Sequence, residues 1–581
     1  MEPERLTASL GMYQDKVDIA LTEAAKADVL GRIWRKDASL WKSEAEHQKI
    51  IRNALGWLAV PAQMVAAADE LIAFSEEIRG AAGFKHLMLC GMGGSSLCPE
   101  VMRQTFGHQA GYPELLVLDS TDPDVLAAYA ERIDIEKCLF IIASKSGTTT
   151  EPLVFYKYWY DQVRQRNANP GDSFVAITDP GTRMVEMATA DNFRRIFLNP
   201  PDIGGRYSAL SYFGMVPAAL MGLDIKELLA RAATMSDACG PEHLVTDNPG
   251  ARLGAIMGEC AKLDRDKLTI VADTSLAALG LWIEQLVAES TGKEDQGIVP
   301  INGEALGPVD VYSNDRLFVS ISVGGSNNDT EAKLKALEAA GHPVVRMVLK
   351  DAYDLGAEFF MWEIATAFAG WRLGINPFDQ PNVQESKDAT KELLEYFSAE
   401  GKLQEQQPLV SDGTLTVYVA DAARATFPAS SVLDVLRAHL ARVKPGDYVA
   451  LVDYIEETPE IETTIQSMRI KLRDATRCAT TTGYGPRFLH STGQLHKGGP
   501  DTGVFIQITA PDKTDLPIPG ESYTFGILKQ AQALGDFRSL AAHGRRAIRV
   551  DLGANTLQGL EKLKDLIVAA VPVSVTRHGV A

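Results

Sequence analysis

Between residues 14 and 80, apolar side chains recur at helical spacing. Ile51, Leu55 and Leu58, then Met64, Ala68, Leu71 and Phe74, trace one inward stripe. The rhythm then changes to short apolar runs, at 86–90, 115–118, 139–143, 174–177 and 195–198, alternating with helical stretches. Apolar strands separated by helices predict a parallel sheet covered on both faces. A second set follows, with strands at 268–272, 317–323 and 344–349 and a helix over 276–290. The polar, charged stretch 392–407 predicts a join to a third set, at 415–420, 448–452, 503–508 and 547–550. Loops rich in Pro, Gly and Asp near Lys444-Pro445-Gly446-Asp447 and over 517–520 separate those strands. The pattern predicts an α/β protein: a helical segment over 1–80, parallel-sheet units over 81–235 and 236–395, and a C-terminal α/β unit over 396–581.

A chain of 581 residues is too long for one core, which agrees with several units. Its hydrophobic fraction of 46% argues against long disordered stretches. A net charge of -19 argues against a general nucleic-acid binder while leaving room for a local cationic pocket. The six cysteines form no C-x-x-C pair and lie in or beside apolar runs, as reduced core thiols of a cytoplasmic protein would. Met1-Glu2-Pro3-Glu4-Arg5 lacks the basic-then-apolar order of a signal peptide. No uninterrupted apolar run approaches the ~20 residues that span a bilayer. A soluble cytoplasmic protein without nucleic-acid or membrane partners is expected.

Chemistry concentrates first in Ser144-Lys145-Ser146-Gly147-Thr148-Thr149-Thr150-Glu151. A strand precedes this segment and a helix is expected from Pro152 onward, so five hydroxyls and a lysine crowd a strand-to-helix turn. Unpaired backbone N–H groups and the helix dipole favour an anion there. Hydroxyl donors suit a phosphate ester, whose oxygens only accept hydrogen bonds; a polar helix cap is the plainer reading of the segment alone. A second turn, Gly91-Met92-Gly93-Gly94-Ser95-Ser96, also follows a strand. Ser96 stands where a dinucleotide fingerprint has its third glycine. Although Asp119 ends the next strand, where an acid would meet a ribose, a compact phosphate fits this turn better than a pyrophosphate. Ligands sit at the carboxyl ends of parallel strands, so the two loops are expected to converge on one anion.

The pair of loops resembles the sugar-isomerase (flavodoxin-like) fold, and residues 50–390 resemble the phosphoglucose isomerase family. The motifs that carry this resemblance are, in order, Gly93-Gly94-Ser95, Ser144-Lys145-Ser146, Gly204-Gly205-Arg206-Tyr207-Ser208, Glu289-Ser290-Thr291-Gly292-Lys293 and Phe378-Asp379-Gln380 with Lys387. Thr291 replaces the asparagine usual in the fourth. The resemblance implies two sugar-isomerase domains and an enzyme of glycolysis and gluconeogenesis that interconverts glucose 6-phosphate and fructose 6-phosphate through a cis-enediol. It implies a phosphate site built from Gly94, Ser95, Ser144, Lys145, Ser146, Thr148 and Thr149 with their loop N–H groups. It implies Glu289 as the carbon base, Arg206 against the enediolate charge, Gln380 on the substrate and Lys387 near the ring oxygen. The chemistry asks for the same types: a carboxylate to accept and return one proton, and a permanent cation for the oxyanion. The step requires neither a metal nor a redox cofactor.

The chain departs from the family in two places. An ungapped count back from Gln380 sets Glu363 opposite a family glutamate and Ile364 opposite the histidine that opens the sugar ring. Ring opening then falls to another residue, or the substrate is the open-chain sugar. The glycine-rich loop over 484–500 offers His490 and His496, and sequence does not separate them. The third unit is longer than the family's usual ending and resembles the isomerase half of bacterial transaldolase–phosphoglucose isomerase fusions. Three α/β units leave no room for a transaldolase barrel. A homodimer follows from the resemblance. A dual-specificity phosphoglucose/phosphomannose isomerase and a non-catalytic sugar-phosphate-binding regulator are the alternatives. A nicotinamide oxidoreductase is disfavoured by Ser96.

Overall fold

A computed structural model describes residues 5–81, 83–404 and 406–571 and contains three mostly parallel sheets. The first has the spatial order Glu114–Leu118, His86–Cys90, Cys138–Ala143, Phe174–Thr178, Arg195–Leu198, all parallel. Its side chains alternate as a strand's must. Leu87, Leu89, Ile141 and Ile177 join the core shared with the second sheet. Met88, Cys90, Phe140, Ile142 and Phe174 pack under the helix Thr150–Arg164 and against Phe525, Leu528 and Leu534 of the third unit. Both faces are therefore covered, which is why these strands read as unbroken apolar runs.

The second sheet runs Leu6–Ser9, Val344–Leu349, Arg316–Val323, Lys267–Ala272, Val299–Ile301. Its first strand is antiparallel and comes from the N-terminal segment, which was expected to be wholly helical. The third sheet runs Val410–Ser411, Thr416–Tyr418, Arg546–Asp551, Gly503–Thr509, Tyr448–Tyr454, Ala479–Tyr484. Its last strand was not expected, because Ala-Thr-Thr-Thr-Gly-Tyr shows no apolar run. The stretch expected as a polar join is in part the end of a 20-residue helix, Pro381–Glu400. Its Leu393 and Leu394 are buried beside Phe525, Leu528 and Leu534 of the helix Phe525–Ala542. The C-terminal unit was expected to reach residue 581, and its last residues, 572–581, lie outside the described ones.

All six cysteines are buried and unpaired. The segment Gly56–Gly80 is, by length and composition alone, apolar enough to cross a membrane, although charged residues interrupt it. In the fold its Met64, Ala68, Leu71, Phe74 and Ile78 are buried in the shared core, while Asp69, Glu70 and Glu77 are exposed.

Candidate active site

The carboxyl ends of the first sheet supply one side of a cleft of about 1130 Å³. After His86–Cys90 the chain makes one tight turn at Gly93–Ser95, with Gly93 at φ 54°. A Cβ on Gly94 would stand 1.9 Å from the carbonyl oxygen of Gly205, so only glycine lets this turn touch the loop that carries Arg206. Ser95 lines the cleft. Ser96 does not: its Oγ donates to Gly93 O (3.2 Å) and to Asp119 Oδ2 (3.3 Å). Asp119 is in turn paired with Arg487 of the third unit at 3.0 Å, a use unrelated to any ribose.

In the second loop, Ser146 and Thr149 line the cleft ahead of the helix Thr150–Arg164. No side chain caps that helix, and a helix start of this kind favours an anion. Ser144 departs from expectation. It is buried and donates from its Oγ to Thr149 Oγ1 at 3.1 Å, because a residue just past a buried strand turns inward. Thr148 also departs: it donates to Ser146 Oγ (3.0 Å) and lines an adjoining chamber of about 640 Å³. Lys145 lines the cleft, yet its ammonium is spent on Asp179 Oδ2 (2.5 Å) and Pro201 O (3.1 Å).

Across the cleft, three sequence motifs interlock around one buried guanidinium. Arg206, 3% exposed, donates to Ser290 Oγ (2.7 Å), Pro377 O (2.7 Å), Asp379 O (3.0 Å) and Gln380 Oε1 (3.1 Å). Its Nη1 also lies 3.2 Å from Glu289 Oε1. Glu289 sits in the last turn of the buried helix Leu279–Thr291, where the helix dipole opposes a negative charge; the Arg206 contact offsets this. Gln285, one turn earlier, donates to Glu289 Oε2 at 3.2 Å. Lys293 closes the set by pairing with Asp379 Oδ1 at 2.7 Å; burial brings its ammonium down to about 8 against the pull of that carboxylate. Thr291, standing in the asparagine position, is structural: its Oγ1 accepts from Ile298 N at 2.9 Å and donates to Val287 O at 2.8 Å.

The third unit adds one of its two candidate histidines. His490 lines the cleft, and its Nε2 lies 3.2 Å from Glu151 Oε1. Gln532 donates to the same oxygen at 2.7 Å, and Thr121 donates to Gln532 at 2.7 Å. Burial works against charge on Glu151, but His490 outweighs it and holds the carboxyl below its ordinary range. His496 is not in the site. It is 3% exposed among Phe505, Phe488 and Tyr448, and burial forces its imidazole well below the usual range. The helix Gly493–Gly498 turns it inward, away from the cleft. Lys387 lines the cleft from Pro381–Glu400 and is exposed, and Gln380 lines it at that helix's start.

Ile364 is fully buried on the helix Leu355–Leu373, packed where a Cβ on Gly250 would lie 2.6 Å from its Cγ2. Its neighbour Glu363 is buried as well, and burial pushes that carboxyl well above its usual range. Neither lines the cleft. Glu151 and Gln285 are the groups that sequence reasoning missed as part of the site. Gln285 carried a signal, since it precedes Glu289 by one helical turn; Glu151 reads as an ordinary first-turn acid. Among the described residues, Asp122, Asp124 and Asp512 come close enough to share an ion, but Lys529 is already paired with Asp122 (2.8 Å) and Asp512. The cleft itself presents two hydroxyl-rich turns, a carboxylate against a fixed guanidinium, and an imidazole against a second carboxylate. That set serves proton transfer on an anionic small molecule.

The architecture is that of an α/β protein of three mostly parallel sheets with its candidate site at the strand ends. A hypothetical protein from Thermus thermophilus shares this fold, with a TM-score of 0.56 at 22% identity over 67% of this chain and 99% of that one. Residues 57–305 match the family model described as Phosphoglucose isomerase. A protein of Carboxydothermus hydrogenoformans named glucose-6-phosphate isomerase is 28% identical over 419 residues, covering 62% of this chain and 89% of that protein. One of Methanococcus maripaludis, named probable glucose-6-phosphate isomerase, is 27% identical over 367 residues, covering 56% of this chain and 82% of that protein.

Proposed function

We propose that the protein interconverts glucose 6-phosphate and fructose 6-phosphate, with Glu289 as the carbon base. The observation that carries this reading is the placement of Glu289 Oε1 3.2 Å from Arg206 Nη1 in the cleft that Ser95, Ser146 and Thr149 also line. Ser95, Ser146 and Thr149 hold the phosphate, with the uncapped start of the helix Thr150–Arg164 beside them. Held by that handle, the sugar presents its C1 and C2 to the opposite wall. Glu289 removes the proton on one of these carbons, the C–H pair becomes the double bond of the enediolate, a hydroxyl proton passes between O1 and O2, and the same carboxyl returns the carbon-bound proton to the neighbouring carbon. Arg206 faces the oxygen on which charge develops and cannot lose its own charge. His490, held by Glu151, exchanges the proton that ring opening moves between the ring oxygen and the anomeric hydroxyl; Lys387 lines the same cleft.

Glu289→Gln keeps the shape of the side chain and removes its basicity. The reading requires kcat to fall by at least about 1,000-fold, within the range for general acid–base groups, with KM changed less than about threefold. Full turnover by this variant would overturn the mechanism. Assaying mannose 6-phosphate beside glucose 6-phosphate in the wild-type protein decides whether reprotonation is confined to one face of the enediol.

A further inference from the structure

Two neighbouring residues of the base-bearing helix grip two neighbouring residues of the histidine loop. On the cleft side, Gln285 Nε2 donates to the carbonyl oxygen of His490 at 2.7 Å while also reaching Glu289. On the other side, Ser491 Oγ donates to Glu284 Oε1 at 3.2 Å. Successive helix residues leave the axis about 100° apart, so Glu284 and Gln285 face different sides and hold the loop as a clasp. Glu284 and Ser491 do not line the cleft; both line a separate cavity of about 620 Å³ between the second and third units. Glu284 is 7% exposed, and burial raises its carboxyl to about 7. A buried carboxyl is costly to retain, and the hydroxyl of Ser491 is the side-chain hydrogen bond that lowers this cost.

We propose that Glu284 is a positioning residue: through Ser491 it fixes the loop that carries His490 at a set distance from Glu289. This rests on the assignment of ring opening to His490. The base and the ring-opening group come from different units of the chain, and a misplacement of about 1 Å is enough to cost about 100-fold in rate. Glu284 and Gln285 tie them through one helix, which makes the spacing a property of that helix and not of how the units happen to pack.

The test uses two substrates: fructose 6-phosphate, and its 5-deoxy analogue, which lacks the hydroxyl that closes the ring and so bypasses His490. Glu284→Ala and Ser491→Ala should each lower kcat on the closed sugar at least tenfold, with KM and the 5-deoxy rate within about twofold of wild type. Glu284→Gln, which keeps an acceptor oxygen for Ser491, should recover most of the lost rate. A melting curve accompanies each variant, and Ser491→Ala carries the test if Glu284→Ala fails to fold. Equal slowing on both substrates, or none on either, overturns the positioning role. His490→Ala is the control: if it too fails to separate the substrates, the ring-opening assignment falls and the proposal with it. If His490→Ala separates them and the Glu284 and Ser491 variants do not, only the positioning role is lost.

Discussion

The first and third units both deliver strand ends to one cleft, but they contribute by different means. The first unit offers backbone: tight glycine turns, an uncapped helix start and hydroxyls that lie next to each other in sequence. The third offers a single side chain, His490, whose ring meets Glu151 of the first unit while its backbone carbonyl accepts from Gln285 of the second. An anion site made of amides is a local property of a turn and is written in a few consecutive residues. An acid–base group is defined by what surrounds it, and its surroundings are distant in sequence. Within one loop, His490 and His496 show the consequence: the same residue type sits once against a carboxylate at the cleft and once among aromatic rings in the core.

Replacing each histidine is the strongest way to test that contrast. His490→Ala should slow turnover of ring-closed sugar about 100-fold while leaving the melting temperature nearly unchanged. His496→Ala should do the reverse. It opens a core cavity and should cost about 3 kcal/mol of stability, in line with large-to-small substitutions at buried rings, while the folded protein retains its kcat. Steady-state kinetics and thermal melts on both variants read the two effects. Equal behaviour would erase the distinction between the two histidines.

The glycine turn of the first unit gives the next test. Gly94→Ala places a methyl 1.9 Å from Gly205 O, and the backbone on both sides must move. Overpacking of this kind costs about 1–3 kcal/mol, and the shift carries Ser95 and Arg206 apart. Stability and phosphate affinity should both fall. Gly205→Ala is the matched control, since its Cβ would meet nothing within 4 Å, and its melting temperature should stay at the wild-type value.

The same division explains what could be read from sequence. The strands of the first sheet were legible because both faces are buried and each is an apolar run. Ala479–Tyr484 was not, since threonines fill it and an edge strand needs only one apolar neighbour. Gly93-Gly94-Ser95, Arg206 and Glu289 were legible as motifs, and the structure shows why they travel together: Arg206 bonds Ser290 and Asp379 and contacts Glu289. Glu151 was not legible, because its meaning depends on His490, 339 residues further along. Ser144 misled for a local reason: spacing within a turn does not reveal which hydroxyl follows the strand's inward face.

A smaller effect separates the adjacent serines. Ser95 lines the cleft, whereas Ser96 is spent on Gly93 O and Asp119. A hydrogen bond to a charged group is worth about 1.5–3 kcal/mol, so Ser95→Ala should raise KM by about tenfold or more with kcat little changed. Ser96→Ala should leave KM within about twofold. Steady-state kinetics on the two variants decides it, and a larger KM effect for Ser96 would move the phosphate to the Asp119 side.

The last and smallest effect is a proton count. His496 is held neutral in the folded protein, well below the ordinary imidazole range, because burial disfavours its charge. Once the chain unfolds, the same ring titrates near 6.5. Below that pH the unfolded state binds a proton that the folded state does not, so stability is present above about 6.5 and drains away as the pH falls. For one such group, the loss between pH 7.5 and pH 5.5 is about 1.4 kcal/mol. His496→Phe fills the same ring-shaped space without a titrating nitrogen, so its denaturation midpoint should fall less over that interval by about this amount. If His496→Phe keeps the wild-type pH dependence, the buried ring is not held neutral as its surroundings require.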